Sequence, residues 1–126
     1  MRRKMILLVL SLVFILGLAG CESSNEDTYY IALYQVIKST YDVLSGSVTP
    51  DDNLSYIKTQ QPGIQPIESK SGFTIDEVKN YFRQYPTFTE ASISNHVNNL
   101  EQRGSTQAFL VNQTAGTYYY LFIKRE

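Results

Sequence analysis

The fold is decided by residues 74–124, which read TIDEVKNYFRQYPTFTEASISNHVNNLEQRGSTQAFLVNQTAGTYYYLFIK. Two helices are predicted at its start, because Thr74-x-x-Glu77 and Thr87-x-x-Glu90 are capping-box patterns, with Thr89 as a competing cap for the second. Apolar residues then recur at helical spacing. In the first helix they are Ile75, Val78, Phe82 and Tyr85; in the second they are Ala91, Ile93, Val97 and Leu100. Pro86 and Gly104 are expected to end the two helices.

The rest of this stretch predicts a β-hairpin. Residues 108–111 and 117–123 are rich in β-branched and aromatic side chains, and residues 112–116 between them contain a glycine. In the second strand Tyr118, Tyr120 and Phe122 share one face, and the residues between them share the other. We expect one face to pack on the helices and the other to be partly exposed, so Tyr118, Tyr120 and Phe122 form a candidate contact surface.

Upstream, residues 28–44 predict a further amphipathic helix, since apolar and aromatic residues recur there every three or four positions. Residues 46–72 contain three prolines and three glycines and predict a long connection with at most one short helix. Thr49-Pro50-Asp51-Asp52 would open that helix, with a cap, a proline and two acids in its first turn. The connection is either functional or an excursion packed on the surface.

The first twenty residues differ from the rest of the chain. Arg2, Arg3 and Lys4 precede an apolar run, residues 5–19, which is followed by small residues. This order is typical of a secretory signal peptide. A transmembrane helix is the alternative, but it needs about 20 apolar residues. The run is shorter than that and lacks a basic stop-transfer cluster, so we expect residues 1–20 to be removed.

The sequence Leu18-Ala19-Gly20-Cys21 resembles the lipobox of bacterial lipoproteins. The resemblance implies that Cys21 carries an S-diacylglyceryl group, that cleavage occurs before it, and that its freed amine is acylated. Two acyl chains give stable membrane attachment, whereas one gives marginal attachment. A lipid-anchored location outside the cytoplasm is therefore expected. Because Glu22 stands where an aspartate commonly favours inner-membrane retention, this is the periplasmic side of the outer membrane if two membranes exist.

Three parts of the chain are therefore expected. Residues 1–20 are the signal peptide, residues 21–27 are a lipidated and polar tether, and residues 28–126 are a single α+β domain with about three main helices and a C-terminal hairpin. Without the signal peptide the chain has eight basic and twelve acidic residues, a net charge near −4. It also has no cysteine left for a disulfide once Cys21 is lipidated, so its stability must come from packing.

The order helix, helix, glycine, hairpin over residues 73–124 resembles a winged helix-turn-helix, in which residues 92–104 would be the recognition helix leading to the wing. DNA binding is not expected from this resemblance. Recognition helices contact phosphates through Lys and Arg, whereas residues 90–103 contain one Arg and two Glu. Asn95, Asn98 and Asn99 then belong to a solvated polar face, and the fold would serve protein interaction.

Catalytic and metal-binding patterns are not found in the sequence. His96 is the one histidine, and no Asp or Glu lies three or four residues from it, so no zinc site and no cofactor are predicted. No Gly-x-Ser-x-Gly motif occurs. We predict a non-enzymatic lipoprotein that binds another envelope protein or is structural. The alternative is a small-molecule or glycan binder, or a minor hydrolase, that uses residues 46–72.

Overall fold

The computed structural model describes residues 27–126. Within these residues four helices accompany one antiparallel sheet of four strands, whose order is β2-β1-β4-β3. In chain order the elements are β1 (Tyr29–Val36), α1 (Lys38–Tyr41), α2 (Pro50–Gln60), β2 (Glu68–Phe73), α3 (Ile75–Arg83), α4 (Glu90–Arg103), β3 (Ser105–Asn112) and β4 (Thr117–Arg125). The predicted α+β class is confirmed.

The helix predicted over residues 28–44 is wrong for most of its length. Residues 29–36 form β1, and only the four residues of α1 are helical in this interval. The physical reason is that β1 lies between β2 and β4 and is covered on both faces. A strand buried on both faces reads as a nearly continuous apolar run, and such a run also satisfies the three- and four-residue spacing of a helix.

The connection over residues 46–72 contains the short helix that was predicted. In α2 the Thr49 side chain accepts a hydrogen bond from the Asp52 amide at 3.2 Å, Pro50 is the first helical residue, and Asp51 lies in the first turn. The connection also enters β2, a strand that the sequence did not predict. Residues 68–73 are mostly exposed and show no apolar alternation. Backbone pairing with β1 therefore defines β2.

The two later helices are confirmed, with one change of cap. Thr74 and Glu77 form the predicted capping box, with hydrogen bonds of 3.2 and 2.9 Å. In α4 the cap is Thr89, which accepts from the Ser92 amide at 3.1 Å, so the second capping box is wrong and the competing cap is right. Gly104 ends α4 with φ of +80°, a conformation that strongly favours glycine.

The C-terminal hairpin is also confirmed. Eight consecutive residues of β3 pair with β4 in one uninterrupted register. In addition β4 pairs with β1 along the whole length of β1, so the last strand is central in the sheet. A central position explains why consecutive residues 120–123 are all buried.

The sheet has a hydrophobic core on each face, so the domain has three layers. On one face α3 and α4 cover Ile31, Leu121 and Ile123. On the other face α1 and α2 cover residues that include Tyr120 and Phe122. The expectation that one face of the last strand would be partly exposed is therefore wrong, because it assumed helices on one side only.

Candidate interaction surfaces

The predicted site residues lie in different places. Cys21 lies outside the residues that the structure describes. Of the candidate contact surface, Tyr120 and Phe122 have exposed fractions of 0% and 4%, and only Tyr118 is partly exposed. This face is consequently core within the folded chain, and Tyr118 alone remains as a candidate contact.

Tyr120 has a polar role inside the core. Its hydroxyl lies 2.6 Å from Gln107 Oε1 and 3.1 Å from the Pro50 carbonyl oxygen. Burial, with the nearby charge of Asp51 and the Tyr34 ring, raises the pKa of Tyr120 well above its usual value. The hydroxyl therefore stays protonated at any physiological pH and donates a hydrogen bond to one of these two oxygens.

Gln107 and Asn53 extend this network to the loop before α2. Asn53 is 3% exposed, and its side-chain amide donates to Gln107 Oε1 and to the Ser45 carbonyl, both at 2.8 Å. Gln107 Nε2 donates to the Val48 carbonyl at 2.8 Å. Both hydrogens of the Asn53 amide are thereby used, as a buried donor requires. Residues 45–50 are held against β3 by these bonds.

The outer edge of β3 carries unpaired backbone groups. The Arg125 amide donates to the Gly104 carbonyl at 2.7 Å. Gly104 and Arg125 are therefore a hydrogen-bonded pair, and such pairs alternate with non-hydrogen-bonded pairs along an antiparallel ladder. Starting with Ser105, every second residue of β3 belongs to a non-hydrogen-bonded pair and directs its N–H and C=O away from β4. These residues are Ser105, Gln107, Phe109 and Val111. No other strand and no loop backbone within residues 27–126 bonds to them.

A groove of about 460 Å³ lies along this edge, and we call it the edge groove. Residues 46–51 form one side, with Asp51 among them, and Asn99 and Arg103 of α4 form the other. Ser105, Thr106, Gln107 and Phe109 of β3 lie between the two sides. The groove therefore contains unpaired backbone groups and one charged side chain of each sign.

A second and larger depression, the apolar cleft, has a volume of about 610 Å³. Leu33, Leu110 and Tyr119 contribute to it from three neighbouring strands, and residues 85–87 between α3 and α4 form one side. No charged residue lines it. Ile67 and Val111 stand at the cleft with exposed fractions of 56% and 43%. The α3–α4 layer thus leaves one end of its sheet face uncovered.

His96 is half-buried between α4, α3 and β3. Its ring stacks on Phe82 with centroids 4.8 Å apart, meets Phe88 edge-on at 5.8 Å, and places Nδ1 2.8 Å from Thr106 Oγ1. Burial lowers the pKa of His96 below 6.5. Among residues 27–126 no cluster of three or more His, Cys, Asp or Glu side chains is placed to hold a metal ion. The contacts give His96 a packing role.

We expect the pKa shift of His96 to make the domain less stable in mild acid. Above pH 6.5 the imidazole is neutral in both the folded and the unfolded state; below it the unfolded state takes up a proton that the folded state resists. The free energy of unfolding should therefore fall as the pH drops through about 6.5, in urea titrations at pH 7.5 and 5.5. His96→Gln should remove this part of the pH dependence. Equal pH dependence in the two proteins would contradict the expectation.

Within residues 27–126 there is no helix with the length and hydrophobicity that a membrane span requires. Comparison with family models, with curated proteins and with solved structures found no match to this chain.

Proposed function

We propose that this chain is a lipid-anchored bacterial envelope lipoprotein with a non-enzymatic role in binding another envelope protein. Support for the anchor is the sequence Leu18-Ala19-Gly20-Cys21 after a basic and apolar leader. Cys21 would carry the lipid, and residues 22–27 would separate the domain from the headgroups. The domain would face away from the cytoplasm, on the periplasmic side of the outer membrane where two membranes exist.

The apolar cleft is the observation that carries the interaction role. The proposed tether ends at Asp27, whose carboxylate lies 3.3 Å from Arg125 Nε at one end of the sheet. The cleft opens toward the other end, where β1 finishes and β4 starts. Leu33 lies four positions from Tyr29 and Tyr119 lies six positions from Arg125. At about 3.3 Å per residue, about half or more of the length of the sheet separates the tether from the cleft. A domain held by its tether would present the cleft to proteins away from the membrane.

The winged helix-turn-helix resemblance stays a prediction. The order α3, α4, β3, β4 supports it, while β1, β2 and the α1–α2 layer are additional to it. The acidic balance of the mature chain still argues against nucleic acid as its partner.

Binding of a small polar molecule or glycan is the second candidate, and the edge groove favours it. Residues 46–51, from the connection that the sequence singled out, form one of its sides. Asp51 is the one carboxylate that lines it. Because glycoside hydrolysis ordinarily needs two carboxylates, this lining supports binding rather than a hydrolase.

Cys21→Ser tests the anchor. The variant should lose labelling by a radioactive or alkyne-tagged fatty acid and accumulate as the uncut precursor, since the lipid-accepting thiol is absent. Ser23→Ala, two residues away, is the matched control and should be labelled and cut normally. Normal processing of the Cys21→Ser protein would refute the lipobox interpretation.

The interaction role is tested by a photo-crosslinking amino acid placed at Val111, beside the apolar cleft, in intact cells. We expect one defined envelope protein to be captured there. The same amino acid at Val43, which is 58% exposed and does not line the cleft, is the control and should not capture it. Recovery of the same protein from both positions, or from neither, would count against the cleft as the contact.

A further inference from the structure

The two edges of the sheet differ in how well they are protected against pairing with another strand. The β2 edge contains Glu68 and Lys70, Gly72 with φ of +73°, and an irregular register opposite Tyr29 and Ile31. Charges and irregularities of this kind are common devices that block an edge. The β3 edge has neither: residues 105–112 contain no charged side chain, and their register with β4 is unbroken. The β3 edge is therefore the one suited to pairing.

The geometry of this edge also limits what can pair with it. Its unpaired N–H and C=O groups recur at every second residue, which matches the backbone of another strand. The edge lies between α4 and residues 46–51, the two sides of the edge groove. A single extended segment fits between two such sides. A β3-to-β3 dimer fits less well, because each copy would bring its own α4 and its own residues 46–51 against those of the other.

We propose that the edge groove binds an extended peptide segment of another protein, which adds to the sheet as a fifth strand antiparallel to β3. Strand addition of this kind takes affinity from backbone hydrogen bonds and specificity from the side-chain sites beside them. This proposal rests on the interaction role proposed above, and it specifies the part of the partner that binds, which is an extended peptide segment. It also favours a peptide over a glycan, because the backbone groups in the groove have the periodicity of a strand.

The charges indicate which end of an antiparallel peptide carries an acidic residue. In antiparallel pairing the carboxyl-terminal end of the peptide lies beside Ser105, next to Arg103. Arg103 is exposed in the last turn of α4 and has no ion-pair partner within the described part of the chain. An Asp or Glu at that end of the peptide would pair with it. At the other end the peptide lies beside Leu110 and Val111, where an apolar side chain would meet the apolar cleft.

The length and the end residues of the peptide segment follow from this geometry. From Ser105 to Val111 the strand covers about 20 Å, or about seven residues of a paired peptide. The structure assigns an apolar residue to its amino-terminal end and a carboxylate to its carboxyl-terminal end.

A designed peptide tests this assignment. The full lipidated chain in detergent is mixed with acetyl-Leu-Thr-Val-Thr-Val-Thr-Glu-amide, and hydrogen exchange of backbone amides is followed by NMR. The outward amides of Ser105, Gln107, Phe109 and Val111 should exchange at least about tenfold more slowly with saturating peptide, as the amides of a paired strand do. Three outcomes would overturn the proposal. The first is no slowing of exchange at millimolar peptide, and the second is slowing at β2 instead of β3. The third is slowing that depends on protein concentration in the absence of peptide. The last result would show a second copy at the edge.

Two variants test the details, each with a matched control. Arg103→Gln should weaken binding of the peptide about twofold to fivefold, the range that loss of an exposed ion pair gives. Lys58→Gln, which removes one charge from the last turn of α2, should not change it. With glutamine in place of the peptide's glutamate, wild type and Arg103→Gln should bind equally. A loss of affinity for both peptides would overturn the assigned direction.

Val111→Pro removes an outward N–H without removing a hydrogen bond to β4. It should weaken binding about fivefold, the effect of one backbone hydrogen bond, while Val111→Thr keeps the N–H and should bind nearly as wild type. Equal binding by the two variants would refute backbone pairing at this position. A partner captured at Val111 in cells combined with failure of the peptide would leave the interaction role standing and overturn strand addition. If no partner is captured either, both fail.

Discussion

Tyr120→Ser is expected to destabilise this domain strongly. The ring is completely buried on the α1–α2 face of the sheet, with the Phe109 ring 5.7 Å away between centroids. Truncating a buried aromatic residue costs about 3–5 kcal/mol. Natural domains have about 5–15 kcal/mol of stability in total, so a loss of this size should lower the urea midpoint and the thermal midpoint strongly in circular dichroism.

Two further variants separate the ring from its hydroxyl group. Tyr120→Phe keeps the ring and removes the hydrogen bond to Gln107 or Pro50, and it should cost about 1–2 kcal/mol. Tyr118→Ser acts on the same strand, but at a half-buried ring, and should cost about 1–2 kcal/mol. If Tyr120→Ser were no more destabilising than Tyr118→Ser, the described burial of Tyr120 would be contradicted.

Because Tyr120 is buried, a substitution there does not test a contact surface. A Tyr-to-Ser change at Tyr120 would destabilise the domain, so a loss of binding by this variant would not identify Tyr120 as a contact. Val111 and Arg103 are exposed, so changes there report on the surface itself.

The sequence predicted elements whose signals are local. The capping box of Thr74 and Glu77 and the glycine at position 104 mark the ends of helices within a few residues, and both were confirmed. The hairpin was predicted for the same reason, since its two strands and their glycine-containing loop are contiguous. For the same reason Thr49 and Pro50 predicted the start of α2.

Elements that depend on distant partners were not predicted correctly. The sequence predicts a helix where β1 lies, because the pairing of β1 with β4 joins residues about ninety positions apart, such as Ile31 and Ile123. β2 has no apolar pattern, and only its backbone pairing with β1 makes it a strand. The residue pattern within one segment cannot show which distant strand that segment pairs with. The uninterrupted apolar and aromatic run over residues 29–34 is nevertheless typical of a strand buried on both faces.

The candidate sites also differ in whether their residues are close together in the sequence. The lipobox resemblance rests on four consecutive residues, Leu18-Ala19-Gly20-Cys21, so it is visible in the sequence itself. The edge groove joins residues 46–51 to the end of α4 and to β3, and Gln107 reaches Asn53 across 54 positions. One relevant feature is visible in the sequence: residues 105–112 include no charged residue. In an edge strand this lack of charge leaves the edge open to pairing.

Phe82→Ala is expected to damage the opposite layer to a similar extent. Phe82 is completely buried, stacks on His96 and contacts Phe88 edge-on at 4.9 Å, so it joins α3, α4 and the connection between them. Its truncation should cost about 3–5 kcal/mol in urea unfolding. Phe82→Leu, which keeps most of the apolar volume, should cost clearly less. Equal losses for the two variants would show that the ring contacts with Phe88 and His96, and not the apolar volume, stabilise this layer.

The same substitution has a second readout that overall destabilisation does not produce. Burial lowers the pKa of His96, and Phe82 supplies one face of that burial. In the folded fraction of Phe82→Ala, water should reach the imidazole, and its pKa measured by NMR should rise toward 6.5. Tyr120→Ser, on the other face of the sheet, should leave the pKa of His96 unchanged. A shift with both variants would mean that the two layers are coupled through the sheet, whereas a shift with Phe82→Ala alone would mean that each layer packs independently on it.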